Sequence, residues 1–128
     1  MPGVLPNAAS PCRVLVIDDE RDNADTLVTL LQLWGHEAAA AYSGDDALTR
    51  AVVLNPEVVI TDLVMPVVNG FDLIRHLRER FPTAKFIALT GFHNRETVQR
   101  CRAAGFEEIL LKPATATQLK AAVRPERG

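Results

Sequence analysis

Short apolar runs alternate along this chain with apolar residues placed at helical spacing. Residues 13–17 carry the unbroken run Val14-Leu15-Val16-Ile17, and residues 58–62 open on Val58-Val59-Ile60. Such β-branched runs suit strands covered on both faces, as in a parallel sheet. Residues 85–89 and 109–111 repeat the pattern, and residues 36–42 form a weaker, alanine-rich version. Between the runs the period changes. Leu27, Leu30, Leu31 and Trp34 predict a helix capped by Asp22 or Asn23 and ended by Gly35. After the turn Ser43-Gly44-Asp45, a second helix places Ala47, Leu48, Ala51 and Val52 on one face, and Asn55-Pro56 stops it. Leu73, Ile74 and Leu77 mark a third helix, closed before Pro82. Asn94 caps a fourth, through Val98 and Cys101 to Ala104, stopped by Gly105. Thr115 or Thr117 opens a fifth through Leu119 and Val123, cut by Pro125. Five strands alternating with five helices predict an α/β domain: a doubly wound parallel sheet with right-handed crossovers and helices on both faces.

Composition narrows the reading. At 128 residues the chain is the size of one domain, and 48% apolar residues argue for a packed globule. The formal charge is −2 with no block of like charges, so nothing points to direct nucleic-acid binding. Arg75, Arg78 and Arg80 read as the solvated face of the third helix, with a docking patch as the alternative. Cys12 and Cys101 have neither metal-type nor redox-type spacing and read as free thiols. His36, His76 and His93 read as surface residues. No stretch is long and apolar enough for a membrane span, and no signal peptide is visible, so a cytoplasmic location is expected. Residues 1–11, with three prolines, read as a disordered leader; residues 12–124 as the domain; residues 125–128 as a tail.

The polar residues that end the strands carry the chemistry. The first strand ends in Asp18-Asp19, the third in Asp62, the fourth in Thr90-Gly91 and the fifth in Lys112-Pro113. Parallel strands bring these ends to one edge, where open α/β sheets build their sites. Asp18, Asp19 and Asp62 close together resist ionising together, and a cation relieves them. An oxygen-only set without histidine or cysteine suits Mg²⁺ better than zinc. Lys112 adds a fixed positive charge and Thr90 a hydroxyl donor, a combination suited to a phosphoryl group. Each residue has a plainer alternative. Asp18 and Asp19 could be turn residues, Asp62 a loop carboxylate, Thr90 a turn hydroxyl, and Lys112 an exposed lysine over apolar surface. Their joint placement at successive strand ends favours a site.

In that order, Asp18-Asp19, Asp62 with Met65-Pro66 and Gly70, Thr90-Gly91 and Lys112-Pro113 resemble the receiver domain of bacterial two-component response regulators. The resemblance covers residues 13–123. It implies a flavodoxin-like sheet of order 2-1-3-4-5 flanked by five helices. It also implies that Asp62 accepts a phosphoryl group from a sensor histidine kinase or a histidine phosphotransfer protein. Mg²⁺ would be held by Asp19, Asp62 and the backbone carbonyl of Val64, with Asp18 acting through water. Lys112 would pair with Asp62 and then with a phosphoryl oxygen, while Thr90 moves toward another. Such a domain switches conformation and is not a turnover enzyme. A cis peptide is expected between Lys112 and Pro113.

Two departures from the family pattern matter. Where an aromatic residue usually stands three before the lysine, this chain has Ile109, which puts the aromatic readout of the switch in doubt. Val64 and Phe92, which flank the phosphoryl position, are both apolar and predict poorly guided attack by water and a long-lived phosphoryl form. The 16 residues after Lys112 are too few for a DNA-binding output domain. A stand-alone receiver, a receiver cut from or lost by a hybrid kinase or multidomain regulator, and a binding module that keeps the fold without phosphorylation all stay open. The family's common docking face would span residues 95–120, from Arg95 to Lys120; it mixes Arg100, Arg102, Glu107 and Glu108, which read equally as an ordinary solvated surface.

Overall fold

The computed structural model describes residues 11–63, 70–91 and 94–124. Its elements run β1 (Arg13–Ile17), α1 (Arg21–Leu33), β2 (Glu37–Ala41), α2 (Gly44–Leu54), β3 (Val58–Asp62), α3 (Gly70–Arg80), β4 (Lys85–Thr90), α4 (Arg95–Ala104), β5 (Glu108–Leu111) and α5 (Ala116–Ala122). All strand pairs are parallel, in the order β2-β1-β3-β4-β5. This is the flavodoxin-like order expected. The expected leader and tail lie outside the described residues, apart from Pro11.

Alternation along each strand divides the core in two. Val14, Val16, Val58, Ile60 and Ile87 face α1 and α5, against Leu27, Leu31 and Leu119. Leu15, Ile17, Val59, Phe86 and Ala88 face the other way, onto Ala47 and Ala51 of α2, Leu73 and Leu77 of α3 and Cys101 of α4. A central strand such as β3 is buried at every residue because both neighbours and both helical layers cover it. Leu15 of the adjacent β1 is equally covered, and truncating it to alanine should cost about 2–5 kcal/mol. At the edge, β2 is covered less, which is why alanines suffice.

Several helix boundaries follow from side chains that satisfy orphan backbone groups. Ser43 Oγ accepts from Asp46 N–H, Asn94 Oδ1 from Thr97 N–H, and Thr115 makes a reciprocal capping box with Gln118. Asn55 and Gly105 end α2 and α4 in the left-handed conformation, and Gly35 follows α1 at φ +97°.

Four expectations change. First, neither Asp22 nor Asn23 caps α1, because the helix starts earlier and its N-cap is Glu20, with no side-chain cap. Asp18 Oδ1 instead accepts the Glu20 N–H at 2.9 Å. Second, Leu48 and Val52 do not share the buried face of α2. Ala47 and Ala51 are fully covered and let the helix approach the sheet, which rolls Leu48 and Val52 to 37% and 55% exposure. Third, His36 is buried rather than superficial, with Nδ1 accepting the Cys12 N–H at 3.0 Å. His76 is exposed as expected, and His93 lies outside the described residues. Fourth, Arg75 is solvated but Arg78 is not. Arg78 Nη1 donates to Gly105 O at 3.0 Å and Glu107 Oε2 at 3.2 Å, and its guanidinium lies over Phe86. Cys12 and Cys101 are buried and neither forms a disulfide, and burial raises both thiol pKa values.

Candidate functional site

The carboxyl ends of β1, β3, β4 and β5 gather the polar residues singled out above. In register, Ile17 lies beside Thr61, Asp62 beside Leu89, and Thr90 beside Leu111. Asp18, the residue after β1, is therefore level with Asp62, and Lys112 follows Leu111 directly. Asp18 and Asp62 are buried and Asp19 is exposed. One carboxylate oxygen from each of the three lies within 4.8 Å of the others. At an effective dielectric of about 20, two unit charges that far apart repel by roughly 3–4 kcal/mol. The cluster is electrostatically expensive unless something compensates it.

Part of the compensation comes from Lys112. Its Nζ donates to Asp62 Oδ2 at 2.9 Å, reaching past β4 to the end of β3. Its own N–H donates to Thr90 O at 2.8 Å, which ties the end of β5 to the end of β4. One ammonium against three carboxylates leaves two negative charges. Asp18 records the imbalance. Burial pushes its carboxyl pKa up; the neighbouring charges of Asp62 and Asp19 add to the rise, while the Glu20 amide and Lys112 oppose it. An oxygen-only donor set of this charge fits a hard divalent cation.

The remaining expected residues fall around this centre. Thr90 is buried at the end of β4. At Gly91 an added Cβ would meet open space, so packing does not require glycine there. Ile109 pairs in register with Ala88 and packs, half-buried, against the core. The Lys112–Pro113 peptide is cis. Val64 and Phe92, with the Met65-Pro66 loop, lie outside the described residues. Sequence reasoning missed one neighbouring feature, a cavity of about 490 Å³ between α1 and the start of α5. Asp18, Lys112 and Pro113 line one side, and Asn23, Thr26 and Leu30 of α1 another. The helical spacing of Asn23, Thr26 and Leu30 was the available signal, but it shows only once α5 is known to pack beside α1.

A family model described as the response regulator receiver domain matches residues 14–124. The chain belongs to this family. Receivers of this kind are signalling phosphoproteins rather than turnover enzymes. The chain is 31% identical over 107 residues to a response regulator receiver protein of Anaeromyxobacter sp., covering 84% of this chain and 45% of that protein. It is 36% identical over 108 residues to the virulence sensor protein BvgS of Bordetella bronchiseptica, covering 79% of this chain and 9% of the sensor. The receiver thus spans less than half of the first relative and a small part of the second. Its fold is similar to that of chemotaxis protein CheY4 of Vibrio cholerae, with TM-score 0.81 at 28% identity, covering 86% of this chain and 93% of that one. Among the described residues, no helix is long and apolar enough to cross a membrane.

Proposed function

We propose that this receiver works in a phosphorelay, taking a phosphoryl group onto Asp62 from a sensor histidine kinase or a histidine phosphotransfer protein. The observation that carries the reading is the Lys112–Asp62 contact inside the three-carboxylate cluster. A carboxylate attacks phosphorus from one side while the donor imidazole leaves from the other. The Asp62 oxygen forms the new P–O bond, and the electron pair of the broken P–N bond returns to the imidazole nitrogen. The transfer demands alignment and charge neutralisation more than covalent help. Asp62 is held at a strand end with little freedom, and Lys112 is placed to pass from the Asp62 carboxylate to a phosphoryl oxygen.

Asp19, Asp62 and the Val64 carbonyl would hold Mg²⁺, with Asp18 acting through water, and the ion would supply neutralisation of the phosphoryl oxygens. Thr90 then donates its hydroxyl to another phosphoryl oxygen. The Thr90 carbonyl accepts from Lys112 N–H, so a shift of Thr90 also draws on the connection leading into α5. Ile109, in register with Ala88 of β4, takes the place where an aromatic residue would otherwise report that shift. Output is contact with a downstream protein through residues 95–120, in the cytoplasm. Within that span Lys120 lies over the Trp34 ring, Arg100 over the Phe71 ring, and Glu107 is paired with Arg78. Leu111, 45% exposed, is the large apolar residue the span offers to a partner. Apolar Val64 and Phe92 keep hydrolysis slow.

The test is incubation with a small-molecule phosphodonor and Mg²⁺. Wild-type protein should label, Asp62→Asn should not, and polar residues at Val64 and Phe92 should hasten phosphate loss. Wild-type protein that never labels under these conditions would instead make the chain a constitutive binding module.

A further inference from the structure

At the opposite edge of the sheet, a polar cavity of about 530 Å³ opens where α3, α4, the starts of β4 and β5 and Arg124, beyond the end of α5, meet. Arg78, Lys85, Arg102 and Arg124 line it, against two carboxylates among the described residues, Glu107 and Glu108. Glu107 is already spent: Oε1 accepts the Phe86 N–H at 2.7 Å and Oε2 accepts Arg78 Nη1 at 3.2 Å. Glu108 Oε1 lies 3.9 Å from Lys85 Nζ, an ion pair too long for a hydrogen bond. Two positive charges are left over. The guanidinium groups of Arg102 and Arg124 have no hydrogen bond or ion pair among the described residues.

Lys85 makes this more than a solvated basic patch. It is 5% exposed, at the first position of β4, and its Nζ donates to Ala122 O at 2.9 Å. An ammonium has three N–H bonds, and one acceptor within hydrogen-bonding distance leaves donors unspent at the cavity wall. A buried cation with spare donors, flanked by two unpaired guanidiniums, matches an oxyanion that accepts from several donors at once.

We propose that this cavity binds a phosphate-class oxyanion, free or as the terminal group of a larger molecule. A dianion matches the surplus of two charges. The other edge of the sheet does not compete, because without a divalent cation its three carboxylates repel anions.

Amide ¹H–¹⁵N spectra test this in EDTA at constant ionic strength, with inorganic phosphate as titrant and ADP in a parallel arm. Saturable shifts are expected at Gly105, Glu107, Glu108 and Arg124. Joint Arg102→Gln and Arg124→Gln substitution should weaken binding by about tenfold. Arg75→Gln, removing an exposed arginine outside the cavity, should leave it unchanged. Equal affinity in the two arms means that the phosphate group alone is read; tighter ADP binding means that a larger ligand uses more of the cavity. Either supports the site. The proposal fails if these amides show no saturable shift, if the shifts appear around Asp62 instead, or if Arg75→Gln weakens binding as much as the joint substitution.

Discussion

The two edges of one sheet use charge in opposite ways. At the carboxyl edge, Asp18, Asp19 and Asp62 converge on a single lysine and remain under-neutralised. At the amino edge, Lys85 caps the last carbonyl of α5, Glu107 joins α3 to β4 and β5, and His36 accepts the amide that leads into β1. A buried polar group with its partner in place serves the fold; a cluster of like charges costs stability and is kept for chemistry. Both edges contain a lysine bonded across elements. Lys112 bonds the carboxylate proposed to react, whereas Lys85 bonds a backbone carbonyl.

Exchanging those lysines one at a time is the hardest test of the contrast. Lys112→Ala should remove nearly all phosphoryl labelling while the protein still folds. Lys85→Met should label like wild type but lose about 1.5–3 kcal/mol in denaturant unfolding, because the Ala122 carbonyl loses a charged donor. Reduced labelling in Lys85→Met, at a denaturant concentration where it is folded, would erase the distinction.

A smaller effect is expected at Asp18. Its carboxyl pKa is raised in the folded protein, so its contribution to stability is present below the ordinary value of 3.8 and lost as pH rises through the folded value. At neutral pH the ionised form therefore costs stability. Asp18→Asn should stabilise the metal-free protein by about 1 kcal/mol. Millimolar Mg²⁺ should stabilise wild type more than the variant, closing the gap. Thermal unfolding with EDTA and with Mg²⁺ reads both quantities, and an unchanged gap would separate Asp18 from the cation.

The smallest effect belongs to the amino edge. Burial lowers the His36 pKa below 6.5, and the neutral ring is the form whose Nδ1 accepts the Cys12 N–H. The unfolded chain thus binds more protons between the folded pKa and 6.5. Stability from His36 is complete above 6.5 and falls as pH drops below it. His36→Asn retains an acceptor oxygen and should flatten this part of the stability–pH curve without altering labelling.

Most of the fold can be read from the chain because its signals are local. The runs at Val14–Ile17 and Val58–Ile60 and the caps Asn94 and Thr115 depend on near neighbours alone. The acid cluster could also be anticipated, since parallel strands must bring their carboxyl ends together. What could not be read depends on partners far along the chain. Arg78 meets Glu107 only after α3 and β5 pack, and His36 finds its amide only when β1 and β2 align. The start of α1 was misplaced because Asp18, a residue of the site, also receives the Glu20 amide.

The most direct test maps the phosphoryl group chemically. After treatment with phosphodonor and Mg²⁺, borohydride reduction converts an aspartyl phosphate to homoserine, which peptide mass spectrometry locates. Homoserine at position 62 alone is the result predicted. Homoserine at position 18 or 19, or phosphate retained on a side chain other than aspartate, would contradict the assignment of Asp62.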